Sequence, residues 1–233
     1  MEVIWHKSIG STNEEGKALV KEGAKHGTLI GANFQEAGKG RGGNRWQCKP
    51  GEGLMCSIIL QPKWEKEFWG WIALAAGLAL CELLERDCLT PKIKWPNDIL
   101  VNGKKIAGIL TESIDNSVIV GIGMNLNMAM VPVVSSTLQP TSFFLETDCK
   151  LNPESYAKSV QTHLTQLVGA ESPLLLKPAI LKRLAWLGEA VTLQTRSEEM
   201  EGEITNLGKH GELILNQMGQ DKQVFDAYQL RPQ

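Results

Sequence analysis

Two textures of apolar and polar positions divide the chain. Up to about residue 187, long apolar stretches alternate with polar, glycine-rich ones; after Gly188, short apolar triplets recur at roughly ten-residue spacing. Ser11-Thr12-Asn13-Glu14-Glu15 reads as a helix start, with Ser11/Glu14 or Thr12/Glu15 as a capping box and Gly23 as the stop. Thr28 to Phe34 and Leu54 to Leu60 read as strands. Residues 38–53, with six glycines and a proline, read as a long loop. Glu65 to Arg86 is predicted to be the central helix. Its uncharged core, Phe68 to Cys81, has 14 residues, short of the roughly 20 that a membrane span needs. Ile93-Lys94-Trp95 is a short strand stopped by Pro96. Ile99–Val101, Asn102-Gly103 and Lys104 through Glu112 form a hairpin, and Ser117 to Gly123 supplies a further strand. Residues 129–150 read as loop, and Pro153–Val168 and Leu174–Leu187 as helices. Strands joined by hairpins argue for an α+β fold with a mixed or antiparallel sheet. The triplets Val191–Leu193, Glu203–Thr205, Leu213–Leu215 and Gln223–Phe225 argue for a small C-terminal β-barrel. The expected domains are therefore 1–187 and 188–233.

Composition narrows the function classes. At 233 residues and 42% hydrophobic, the chain can bury a core, which excludes global disorder. A net charge of −2 argues against a basic nucleic-acid coat. The charge is uneven: residues 1–187 carry a net +2 and residues 188–233 a net −4. Two basic foci stand out, Gly38–Lys49 with four cations and no acid, and Lys92–Lys105 with four cations and one acid. Such foci suit an anionic small molecule. The five cysteines show no CxxC or zinc spacing and, with no signal-like start, point to a reducing cytoplasm. No membrane span and no protein metal site are expected.

Three segments could carry chemistry. Gly38 to Gly43 matches GxGxxG, but the residues after that loop, Gln47 through Gly53, cannot form the helix that a dinucleotide fold requires. What remains is a loop offering N–H groups and cations to phosphate or carboxylate, or a solvated surface loop. Lys94-Trp95-Pro96-Asn97-Asp98 places a semi-buried cation beside an amide and a carboxylate; a structural role for the segment is the alternative. Gly121-Ile122-Gly123-Met124-Asn125-Leu126-Asn127 lets a ligand or another part of the chain approach a strand closely, or is a bulged strand end.

Taken together, in this order and after Ser11-Thr12-Asn13, these segments resemble the biotin protein ligases. The family pattern is S-T-N, Q-x-x-G-R-G-R-x-G-R-x-W, K-W-P-N-D, K-x-A-G-I-L and G-x-G-x-N-x-N. It falls here on Ser11–Asn13, Gln35–Trp46, Lys94–Asp98, Lys105–Leu110 and Gly121–Asn127. Two positions depart from the pattern: Lys39 stands for the first loop arginine, and Asn44 for the third, with Arg45 one place later.

The resemblance implies a class II synthetase-like catalytic domain with an SH3-like C-terminal barrel. It also implies activation of biotin by ATP and Mg²⁺ to biotinyl-5′-AMP, then transfer to one lysine of a biotin carboxyl carrier protein. Carried over residue by residue, Lys94 and Arg41 are the catalytic cations. Ser11, Thr12, Asn13, Gln35, Lys39, Gly40, Arg41 and Lys94 hold biotin, and Trp46, Asn97, Lys104 and Asn125 lie at the nucleotide. With S-T-N at residue 11, a ligase without the DNA-binding domain of some members is expected, as monomer or homodimer. Two other readings compete: a lipoate or octanoate ligase or transferase of the related fold, and a non-catalytic biotin sensor.

Overall fold

The computed structural model describes residues 1–132 and 138–233. In chain order the elements are β1 (Val3–His6), α1 (Thr12–Lys21), β2 (Leu29–Ala32), β3 (Gly53–Leu60), α2 (Gly70–Arg86), β4 (Pro91–Lys94), β5 (Asp98–Val101), β6 (Lys104–Ile114) and β7 (Ser117–Asn125). Next come α3 (Phe143–Thr147), α4 (Pro153–Val168), α5 (Lys177–Arg183), β8 (Ala190–Gln194), β9 (Glu199–Leu207), β10 (Leu213–Gln217), β11 (Gln220–Val224) and β12 (Gln229–Pro232). The first seven strands form one sheet in the order β1-β2-β3-β7-β6-β5-β4. β1 and β2 are parallel, joined through α1; the remaining pairings are antiparallel. The fold is α+β with a mixed sheet.

Alternation along the central strands assigns the two faces. Ile30, Ile59 and Ile119 pack with Leu19 and Val20 on the α1 side. Their neighbours Leu29, Ile58, Val118 and Val120 join the large core beneath α2 and α4. With both faces covered, β3 is buried at all eight positions, which is why it reads as a continuous apolar run rather than an alternating one. The apolar α2 buries twelve of its seventeen residues; no described helix is long and apolar enough to cross a membrane.

The second sheet is antiparallel, ordered β11-β10-β9-β8-β12. Its interior residues Val191, Leu193, Ile204 and Leu215 belong to the same apolar cluster as α2. The β9–β10 turn plugs it onto the first sheet: Trp71 Nε1 donates to the Lys209 carbonyl at 2.8 Å, and Trp95 Nε1 to the Gly211 carbonyl at 3.0 Å. Buried indoles keep their N–H paired, so these two tryptophans fix where the C-terminal sheet sits.

Several local expectations are corrected. Ser11 is the N-cap of α1 in extended conformation, but its side chain makes no capping bond; Glu14 turns instead to Lys17 and Lys39. β1, half-buried throughout, and β12, buried only at Leu230, add to the expected strands; neither carries a buried apolar run or alternation. The expected loop 129–150 contains α3, capped by Ser142 Oγ accepting from Leu145 N at 3.1 Å; residues 133–137 of that stretch lie outside the described residues. The helix expected over 174–187 is shorter, a 3₁₀ turn at Pro173–Leu176 followed by α5.

Candidate active site

At the start of α1, Ser11, Thr12 and Asn13 are all buried. Gln35 Oε1 accepts from Thr12 N at 2.7 Å and from Thr12 Oγ1 at 3.1 Å. Ser57 Oγ donates to Asn13 Oδ1 at 2.6 Å and lies 2.7 Å from Thr12 Oγ1. Asn13 Nδ2 donates to Glu112 Oε2 at 2.7 Å, and Lys17 Nζ holds the other oxygen of that carboxylate at 2.5 Å. The Asn13 amide is thus oriented from both ends. Ser57 and Glu112 are absent from the sequence expectation. A lone serine inside the apolar run of β3 is the available signal, since a buried hydroxyl needs a partner.

Opposite this corner lies the glycine-rich loop, folded back on itself. Lys39 and Arg45 face each other as an antiparallel bridge; Gly40 N donates to the Asn44 carbonyl and Trp46 N to the Gly38 carbonyl. Asn44 Nδ2 donates to the Arg41 carbonyl at 2.9 Å, so the residue standing for the family's third arginine closes the turn. Lys39 Nζ pairs with Glu14 at 2.6 Å. The Arg41 guanidinium reaches the connection between β11 and β12, where Nη1 donates to the Ala227 carbonyl at 2.7 Å and Nη2 pairs with Asp226. Burial pulls the Arg41 pKa down, with Asp98 opposing.

Behind a cis Trp95–Pro96 bond, Asp98 opens β5. Its carboxylate takes Lys105 Nζ at 2.6 Å and Lys94 Nζ at 3.8 Å. Lys94 is buried, and desolvation holds its pKa below that of a free lysine, against the pull of Asp98. Asn97 Nδ2 donates to the Ile109 carbonyl at 2.9 Å. Of the hairpin's two lysines, Lys105 reaches the cavity wall, while Lys104 is exposed and stands outside that wall. The cause is a register shift between Ile99 and Leu100. It sets Lys105 on the same side as Gly108, three residues on: a Cβ at Gly108 would lie 3.4 Å from Lys105 Nζ. A regular strand would send those positions to opposite faces.

The alternating glycines of β7 complete the site by giving way. A Cβ at Gly121 would stand 2.2 Å from Asn13 Oδ1, and one at Gly123 2.4 Å from the Trp46 ring. Side chains from two other motifs therefore lie directly on this strand. Trp46 Nε1 is buried without a hydrogen-bond partner. Asn125 Nδ2 donates to the Thr141 carbonyl at 2.8 Å. Asn127 lies beyond the end of β7, where it ties Gly51 to Leu151.

These parts enclose one cavity of about 550 Å³. Its wall includes Ser11, Thr12, Asn13 and Gln35 at the α1 corner and Lys39, Gly40, Arg41, Trp46, Asn97, Lys105 and Asn125, joined by Tyr228 from the β11–β12 connection. Lys94 is not in the wall itself; Asp98 and Lys105 are. Cys56 is also among the lining residues, but it packs in the large core, on the face opposite its neighbour Ser57, and burial lifts its thiol to about 12. Among the described residues no three His, Cys, Asp or Glu side chains gather as a metal cage.

Comparison with known proteins places this arrangement. The model of the biotin/lipoate A/B protein ligase family matches residues 5–128. The bifunctional ligase/repressor BirA of Bacillus subtilis is 39% identical over 131 residues, covering 54% of this chain and 40% of that protein. The chain spans less than half the length of the first curated relatives it matches. The biotin–[acetyl-CoA-carboxylase] ligase of Paracoccus denitrificans is 32% identical over 218 residues, covering 88% of this chain and 90% of that one. Biotin protein ligase from Aquifex aeolicus, solved in complex with biotin and ATP, superposes with a TM-score of 0.86 at 28% identity over 100% of this chain and 99% of its own. The chain belongs to the biotin/lipoate A/B protein ligase family.

Proposed function

We propose that this chain activates biotin with ATP to biotinyl-5′-AMP and transfers the biotinyl group to one lysine of a biotin carboxyl carrier protein, acting in the cytoplasm. The observation that carries this reading is the shape of the cavity's chemistry. One volume runs from a buried hydrogen-bonding corner at α1 to a cationic region under the loop. Its size falls in the range of small-molecule sites, about 300–1,000 Å³. Biotin's ureido ring is neutral and both donates and accepts, which suits Ser11, Thr12, Asn13 and Gln35. The carboxylate end of biotin then points toward the cations.

In the first step a carboxylate oxygen attacks the α-phosphorus of ATP, the bond to the β-phosphate breaks, and pyrophosphate leaves. An anion must approach an anion, so positive charge at the reacting oxygens lowers the barrier. In this reading Arg41 fills that role from the cavity wall and Lys94 from just behind it, beside Asp98, and Lys105 replaces Lys104 as the hairpin cation. In the second step the acceptor amine attacks the acyl carbon, loses a proton, and AMP departs. Lys39 and Gly40 close over the ligand, while Trp46, Asn97 and Asn125 wall the nucleotide. Asp98, the carboxylate in the cavity wall, is already engaged by two lysines. Among the described residues no carboxylate cluster fits a resident Mg²⁺ site, and Mg²⁺ is assigned to the substrate, as the ion carried by ATP.

The test is exchange of labelled pyrophosphate into ATP. Exchange is expected with biotin and absent with lipoate or octanoate. Exchange driven by lipoate would move the reading to the other branch of the family, and biotin binding without exchange would make the chain a sensor.

A further inference from the structure

Arg41 is held by a part of the molecule far away in sequence. Its two Nη atoms are engaged by Asp226 and the Ala227 carbonyl, in the segment between β11 and β12. The neighbouring Tyr228 lines the cavity, and its ring lies against the loop, 3.7 Å from where a Cβ at Gly42 would be. Tyr228 is itself fixed: its Oη accepts from Arg196 Nε at 2.5 Å, and that guanidinium sits 5.8 Å from the Tyr228 ring centroid. Three consecutive residues of the β11–β12 connection thus meet the loop at the cavity mouth.

Such a contact could withdraw the arginine or aim it. Two observations favour aiming. Arg41 remains part of the cavity wall while it is held. A guanidinium also carries five N–H donors, so two acceptors leave donors for a phosphate. A flexible glycine loop would otherwise bear the ordering entropy of a long side chain at the moment of binding.

We propose that Asp226, with the Ala227 carbonyl, is a positioning group for Arg41, so that the C-terminal sheet sets the geometry of the phosphate-binding region. This rests on the biotin–ATP reading above. Asp226 touches no reacting atom; it acts through Arg41.

The test uses the full chain with Asp226→Asn, which keeps the shape and removes the charge, and Asp226→Glu, which keeps the charge. In the ligand-free protein, hydrogen exchange over residues 38–49 should rise in D226N and stay near wild type in D226E. With biotin present, affinity for the non-hydrolysable α,β-methylene analogue of ATP should fall about tenfold in D226N, the scale of one hydrogen bond to a charged group. Biotin affinity should stay within about twofold, as expected for a substitution away from its pocket. D226E should recover most of the loss, and in an Arg41→Gly background D226N should add nothing. Equal loss in both backgrounds, no loss in wild type, or tighter nucleotide binding would overturn the proposal. If the wild type binds neither biotin nor the analogue, the ligase reading fails; unchanged loop exchange in D226N overturns the positioning role whatever the ligand.

Discussion

The two regions of the cavity are built on opposite principles. At α1, Thr12, Asn13 and Ser57 are buried and, with half-buried Gln35 and Glu112, form one hydrogen-bond network. Under the loop, the groups are charged and more exposed, and they form ion pairs, Lys39 with Glu14 of α1 and Arg41 with Asp226 of the β11–β12 connection. A buried network whose members are all paired is rigid, because losing one partner strands another. Half-exposed ion pairs contribute little to stability; under the loop they set where the cations sit. The contrast suits the two halves of the proposed substrate: a neutral head recognised by a hydrogen-bond network, and phosphates met by cations that ion pairs hold in place.

The largest effect expected is at the charged region. Lys94→Ala should lower biotin-dependent pyrophosphate exchange by about a hundredfold to a thousandfold, the scale of a lost oxyanion donor, with an unchanged circular dichroism spectrum. A variant with normal exchange would remove Lys94 from the chemistry.

A matched pair of substitutions on one strand breaks the comparison directly. Gly121→Ala drives a Cβ into Asn13 and Gly123→Ala drives one into Trp46. The first should weaken biotin binding by roughly tenfold to a hundredfold, because it disrupts a buried network worth about 1–3 kcal/mol per unsatisfied group. The second should act mainly on the KM for ATP. Isothermal titration with biotin and steady-state kinetics with ATP separate them; identical profiles would mean that the two regions are one.

Smaller effects distinguish the neighbouring lysines. Lys105→Ala removes the closer partner of Asp98 and should cost about tenfold in exchange, the worth of one charge-assisted hydrogen bond. Lys104→Ala, on the exposed side of the hairpin, should stay within about twofold, as surface substitutions do. Equal effects would contradict the bulge as the device that selects between them.

The smallest effect is a pH trend. Because burial disfavours the Lys94 ammonium, the activity that depends on its charge should fall on an alkaline limb centred below the value of 10.5 for a free lysine. Between the folded and unfolded pKa values the unfolded chain binds more protons, so stability from this group rises with pH there while activity declines. Parallel pH profiles of exchange and of urea midpoint for wild type and Lys94→Ala would show it; a limb that persists in the variant would assign it to another group.

Much of the architecture is legible in local pattern. The apolar stretch of α2, the Asn-Gly hairpin and the short triplets after Gly188 declare their elements because helix and strand periods are properties of consecutive residues. The site motifs are legible for the same reason: glycine, lysine and asparagine clusters announce chemistry wherever they fold. Other features depend on the three-dimensional arrangement. A one-residue shift between β5 and β6 selects Lys105 over Lys104, and nothing within the Lys-Lys pair encodes it. Ser57 and Glu112 join the α1 corner because β3 and β6 pass beneath it. Asp226 and Tyr228 reach the loop because Trp71 and Trp95 anchor the β9–β10 turn and so fix the position of the C-terminal sheet. The contact between Arg41 and Ala227 closes over 186 positions of chain. Residue order determines which groups are available and what local period they adopt; pairing at that separation is decided by how sheets and helices pack, since only the assembled core brings such distant groups within hydrogen-bond reach.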